Sequence, residues 1–211
     1  MDRLGTTRRS LHGVAELLLA GPQFRQSGTI RLRATTGGFG TVREPWIAVR
    51  EDQLLLDGKP VGPLSGSTYA ELAAAAGVAP TAPEGLYSDG SGIQPTDTVD
   101  LDPDSARTIA TAFANGDLAL RRLAPETDPV LWPEHFDLGI SLDEVNYGVS
   151  PGDAQIQEPY AYVGPWSPRQ GRFWNVSFGA AHPLTQLPDI DSLFGFFREG
   201  LLLTRKDATS S

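Results

Sequence analysis

Residues 131–153, LWPEHFDLGISLDEVNYGVSPGD, crowd Glu134, His135 and Asp137 into four positions. An imidazole beside a carboxylate is an acid–base pair, because the neighbouring charge raises the ring's basicity and fixes its tautomer. Adjacent strand residues point to opposite faces, so Glu134 and His135 cannot readily share one site. His135 and Asp137, at i and i+2, can share the polar face opposite Phe136, Leu138 and Ile140. That spacing makes His135 the candidate acid or base and Asp137 its orienting carboxylate. The structural alternative is that both simply hydrogen-bond to the preceding loop.

Other chemistries find less support. The three histidines, His12, His135 and His182, have no H-x-H or H-x-x-x-H spacing, so no metal site is expected. There is no cysteine, which excludes thiolate nucleophiles, thiolate metal sites and disulfides. No G-x-S-x-G elbow is present, and lysine occurs only at Lys59 and Lys206, which disfavours Schiff-base chemistry. Gly37-Gly38-Phe39-Gly40 precedes no helix N-terminus and reads as a turn rather than a phosphate cradle. No cofactor is expected.

Aromatic side chains concentrate downstream, with Trp132, Tyr147, Tyr160, Tyr162, Trp166, Phe173 and Trp174 in one run. Asn146 and Asn175 fall in segments read as strands, where an amide needs partners if buried. Aromatic walls with a few placed amides and carboxylates describe a small-molecule pocket. They equally describe a core whose tyrosine hydroxyls reach its rim. The expected ligand-binding set is Glu134, Asn146, Tyr147, Tyr162, Trp166 and Asn175.

The elements that would carry these residues alternate helix and strand. Leu11, Val14, Ala15 and Leu18 predict an amphipathic helix over about 7–20, stopped by Gly21-Pro22. TIRLRAT, PWIAV and a hairpin at Asp57-Gly58 predict a small meander. Thr68 and Glu71 form a capping box for a short helix ending at Gly77. Asp102-Pro103 opens a longer helix through Leu123. FDLGISL, EVNYGVS, PYAYVG and FWNVSFG predict four strands, and Asp189 or Asp191 caps a final helix with Ile190, Leu193, Phe194, Phe197 and Leu201 on its apolar face. The fold class is α+β, antiparallel sheet covered by helices. The expected organisation is residues 1–77, a loop-rich joint at 78–100, and residues 101–205, with one continuous domain as the alternative.

The chain carries 17 Lys plus Arg against 26 Asp plus Glu, a formal charge of −9. Without a basic patch such a chain repels phosphate backbones and anionic lipid, so neither nucleic acid nor membrane is an expected partner. Thr7-Arg8-Arg9-Ser10-Leu11 resembles a twin-arginine export motif, but Glu16 interrupts the short apolar run after it. The cytoplasm is the expected location.

The motifs Trp132–Asp137 (WPEHFD), Asn146-Tyr147-Gly148 with Ser150–Asp153, Glu158–Trp166 (EPYAYVGPW) and Phe173-Trp174-Asn175 resemble those of a group of uncharacterised conserved actinobacterial proteins. The resemblance implies that residues 131–175 act as a unit, and it implies no activity. The leading expectation is therefore small-molecule binding in an aromatic-lined pocket of the C-terminal half. The alternatives are an enzyme using His135 with Asp137, and an interaction protein whose aromatic surface and final helix form a homodimer or partner face.

Overall fold

The computed structural model describes residues 2–83, 85–87 and 90–208. The protein is α+β, with ten strands paired antiparallel and helices flanking them. It divides into two compact units: residues 1–114 with 130–137, and residues 115–129 with 138–211.

The first unit is built on a helix that does not stop at Gly21-Pro22. Helix α1 (Arg3–Gly13) continues through a π-helical segment (Val14–Ala20) into α2 (Gly21–Ser27), which ends at left-handed Gly28. The reason lies in the hydrogen-bond register. In the wide turn the Gly21 N–H reaches Glu16 O, five residues back. The same register would pair Leu17 O with the N–H of residue 22, and proline has none. Leu17 O is instead satisfied from outside, by the Thr81 N–H at 3.1 Å. Gly21 makes the approach possible, since a Cβ there would lie 1.6 Å from Thr81 O. A residue pair that normally ends a helix thus becomes the point where the 78–100 segment docks on it.

Around this helix the sheet of the first unit runs β6-β1-β2-β3-β4-β5: β1 (Leu32–Thr35), β2 (Gly38–Thr41), β3 (Ile47–Arg50), β4 (Gln53–Leu56), β5 (Lys59–Pro63) and β6 (Val130–Trp132). The π-segment packs on β1, β2 and β3 and on α3 (Tyr69–Ala75), so its residues are buried all round. The Asp57-Gly58 turn joins β4 to β5 with both residues at positive φ, and the Thr68–Glu71 capping box opens α3. Edge strand β5 carries two prolines and a lysine, which guard its free side. Tyr69 ties α3 to α1 by donating to Ser10 O at 2.9 Å, and burial pushes its hydroxyl up to about 12.

Gln23 pins the helix to the sheet. Fully buried, it donates to Thr29 O and Arg31 O and accepts from the N–H groups of Val42 and Arg43, all within 2.9 Å.

The second unit has the order β10-β9-β8-β7: β7 (Asp137–Leu142), β8 (Val145–Ser150), β9 (Tyr160–Pro165) and β10 (Ala180–Pro183). Helix α4 (Pro103–Leu123) begins at the Asp102 cap in the first unit and finishes in the second. Helix α5 (Ile190–Ala208) starts at the cap Asp189, whose carboxylate accepts from the Ser192 N–H and is held below its usual range by that bond. One face of this sheet (Leu138, Ile140, Val145, Tyr147, Val149, Val163) is buried. Glycines let the helices approach it: a Cβ at Gly116 would press on Val149, and one at Gly200 on Val163. FWNVSFG does not form the expected strand. Asn175 takes the place of a strand partner, its side chain pairing with both the N–H and the carbonyl of Ala181.

Gln23→Leu orphans four backbone groups at once, so the variant is expected to lose about 3 kcal/mol or more in urea-induced unfolding. A loss under about 1 kcal/mol would show that the clamp is dispensable.

Candidate functional site

Glu134 and His135 do not stand on a strand. They occupy the turn Pro133–Phe136 between β6 and β7, closed by the Phe136 N–H donating to Trp132 O at 2.8 Å. The turn lets adjacent side chains meet, and Glu134 Oε1 lies 3.7 Å from His135 Nε2. The His135 ring is mostly exposed, at 64%, and Glu134 is half-sheltered. Asp137 opens β7 one residue beyond a backbone reversal, because Phe136 sits at φ 52°. A bulky residue in the left-handed region is strained by about 1–3 kcal/mol and persists only where packing holds it. Here packing does: the Phe136 ring stacks on His12 at 5.6 Å and meets Phe39 and Phe113 edge-on.

His12 thereby fastens the turn to the central helix. Its Nε2 lies 2.6 Å from Pro133 O. A carbonyl only accepts, so Nε2 carries the proton and Nδ1 is the lone-pair nitrogen of the neutral ring. Burial lowers the His12 pKa, and this outweighs the Pro133 bond and the Glu16 carboxylate, which act to raise it. His135 and, least of all, Arg8 add to the lowering.

One turn along the helix is Glu16, only 3% exposed, between Val14, Ala15, Leu17 and Leu18. Its Oε2 accepts from the Ser91 N–H at 2.9 Å and the Ser91 hydroxyl at 2.5 Å. A Cβ at Gly90 would lie 2.1 Å from its Oε1, so glycine is what lets the 78–100 segment close over the carboxylate. Among the described residues Glu16 makes no ion pair. The Tyr87 hydroxyl lies out of solvent nearby and, among the described residues, makes no well-formed hydrogen bond. Burial, then the Glu16 carboxylate, through its charge and its approach to the hydroxyl as a hydrogen-bond acceptor, then Glu134, push Tyr87 well above the usual phenol range, so the hydroxyl keeps its proton.

His12, Glu16, Tyr87, Ser91, Glu134 and His135 therefore form one electrostatic neighbourhood within the first unit. Sequence reasoning placed Glu134 and His135 in a site but missed Glu16, Tyr87 and Ser91. Their signals were present: a carboxylate inside VAELLLA, a run with no polar face, and the small-residue stretch containing Gly90 and Ser91. Among the described residues no three His, Asp or Glu side chains converge as metal ligands would. A dent elsewhere in this unit, lined by Leu11, Phe39, Val49 and Ile109, encloses about 10 Å³, room for about one water.

The other expected residues lie in the second unit. Tyr147 is fully buried, its ring edge-on to Phe197 of α5, with burial raising its hydroxyl. Asn146, next to it on β8, points to the opposite face, where its Oδ1 accepts from Ser141 Oγ at 2.7 Å and from Trp166 Nε1 at 3.2 Å. Tyr162 shares that face and lies against Gly139 and Gly148, where any Cβ would collide with it. Asn175 is engaged with Ala181. The structure thus brings Asn146, Tyr162 and Trp166 to one surface and leaves Tyr147 in the core.

No family model matches the chain, and neither a curated protein nor a solved structure does.

Because the His12 pKa is lowered on folding, the unfolded chain binds more protons than the folded one below the ordinary imidazole value of 6.5. Stability is complete above that value and falls as the pH drops toward the folded pKa. His12→Phe keeps a ring against Phe136 and removes the titration. Its unfolding free energy should decline less between pH 7.5 and pH 5.5 than that of the native chain. Parallel curves would contradict the assignment.

Proposed function

We propose that the chain binds a small polar molecule in the first unit, where the Glu134–His135 turn meets buried Glu16 and Tyr87. The observation that carries this reading is a carboxylate removed from water, without a cation among the described residues, beside a hydroxyl that is also shut off from water and makes no well-formed hydrogen bond among them. Burying such groups costs free energy unless something compensates. A ligand that donates to Glu16 and accepts from Tyr87 would supply the missing partners, and perturbed titratable groups cluster where ligands and substrates bind. The carboxylates of Glu16 and Glu134 and the uncharged His12 favour a neutral or cationic donor, such as a primary amine or an amide, over an anion.

The aromatic strands of the second unit support this role less well, because Tyr147 and Tyr160 are taken up by packing. The exposed His135, with Glu134 at 3.7 Å, stands at the rim of the proposed site and favours acid–base chemistry there as the second reading. Localisation in the cytoplasm fits the absence of cysteine. Among the described residues no helix is long and apolar enough to cross a membrane.

Thermal unfolding in the presence of small amines, amides, polyols and carboxylates tests the proposal. A saturable stabilisation by an amine or amide is expected, weakened about tenfold by Glu16→Gln, which keeps an acceptor for Ser91. Stabilisation by carboxylates alone, or equal stabilisation of the variant, would refute it.

A further inference from the structure

The outer face of the second unit's sheet carries an arrangement independent of the Glu16 site. Trp166 follows β9 with its side chain in the open, at 64% exposure, the highest of any large apolar residue described. It is nevertheless held in place. Its backbone N–H donates to Glu144 O at 3.0 Å and its indole N–H to Asn146 Oδ1 at 3.2 Å. An indole N–H only donates, which fixes the amide with its oxygen toward the ring. Ser141 Oγ occupies the same oxygen at 2.7 Å. Among the described residues the Asn146 NH2 group makes no hydrogen bond, and it is presented beside the indole.

The surroundings are flat. Pairing of Ser141 with Asn146, Asn146 with Gly164 and Gly148 with Tyr162 places these residues on one face, with Gly139 beyond them. Gly139 and Gly148 leave room for the Tyr162 ring to lie across the sheet, since a Cβ at Gly148 would stand 2.4 Å from its hydroxyl oxygen. Tyr162 and Trp166 are four residues apart, about 13 Å along an extended chain. The hairpin at one end turns on Asp143 and Glu144, both at positive φ without a glycine. This is the geometry that a tight two-residue connection between β7 and β8 requires.

We propose that this face is a saccharide-binding platform that takes a neutral oligosaccharide, one sugar ring stacking on Trp166 and its hydroxyls meeting the Asn146 amide. A pyranose offers a C–H face for an aromatic ring and a rim of hydroxyls for amides, which is the chemistry presented here. The spacing to Tyr162 exceeds one sugar ring, so chains of two or more units fit better than a monosaccharide. A nucleic-acid base would also stack, but its phosphates would meet a chain of formal charge −9. A protein partner would need an apolar centre, and glycines, Ser141 and Asn146 occupy that position.

The test follows the indole N–H resonances of the full chain by NMR, with Trp166 assigned from Trp166→Phe. The probes are neutral di- and tetrasaccharides of glucose, galactose and N-acetylglucosamine in both linkage configurations. One probe should shift the Trp166 signal saturably, a tetrasaccharide binding more tightly than its disaccharide. Trp166→Ala should weaken binding about tenfold or more, and Asn146→Ala should weaken it while leaving the other indole signals in place. The proposal is overturned if no probe produces saturation at tens of millimolar. It is equally overturned if Trp166→Ala binds as the native chain does, or if the shift accompanies a doubling of mass in sedimentation, which would mean a second copy occupies the face.

Discussion

A proline inside a fully enclosed helix sets the terms for the first unit. Pro22 has no N–H, and an α-helical register would drive its ring into the carbonyl four residues back. The widened turn at Val14–Ala20 relieves that clash and leaves Leu17 O without an internal donor. A buried carbonyl must be paired, and Thr81 pairs it. With that contact made, the 78–100 segment lies over the same helical turn, and Ser91 reaches Glu16. The wide turn, the glycine at 21 and the docked segment are therefore one device. Its product is a carboxylate held away from water at a defined place. π-Helical turns recur at functional sites because they re-aim side chains in this way.

The second anchor of that place is aromatic. His12 holds Pro133 O and stacks on Phe136, whose left-handed backbone presents Glu134 and His135 from the turn. Residues far apart in the chain are thus fixed with respect to one another by a buried ring stack and a single carbonyl. Stability and chemistry are in tension here. An apolar residue at 16 would suit its neighbours better, and glycine at 136 would suit its backbone better.

Much of the fold was legible because short-range rules dominate it. Alternation in FDLGISL, the Asp57-Gly58 turn, the Thr68–Glu71 box and the Asp102 cap each concern only a few neighbouring residues, and so does the final cap, narrowed in sequence to Asp189 or Asp191. Gly21-Pro22 was illegible because its local meaning, a helix end, was overridden by a register change that depends on a partner sixty residues away. FWNVSFG has the composition of a strand, but the Asn175 side chain supplies the pairing that a strand backbone would have made. The candidate site was half legible. A Glu-His pair announces itself by type, whereas Glu16 looked like an interruption of an apolar helix until Ser91 and Tyr87 stood over it. Asn146 and Tyr147 were grouped by proximity in sequence, and strand alternation sends them to opposite faces.

The polar cluster at the Glu16 turn holds a tyrosine hydroxyl away from water without a well-formed hydrogen bond among the described residues, and Tyr87→Phe tests this through equilibrium unfolding in urea. A gain of about 1 kcal/mol is expected, because the variant removes a hydroxyl that burial has stripped of water and that no described residue pairs in good geometry. A loss of similar size would contradict it, since the hydroxyl would then be serving the folded chain itself and not something that has yet to bind.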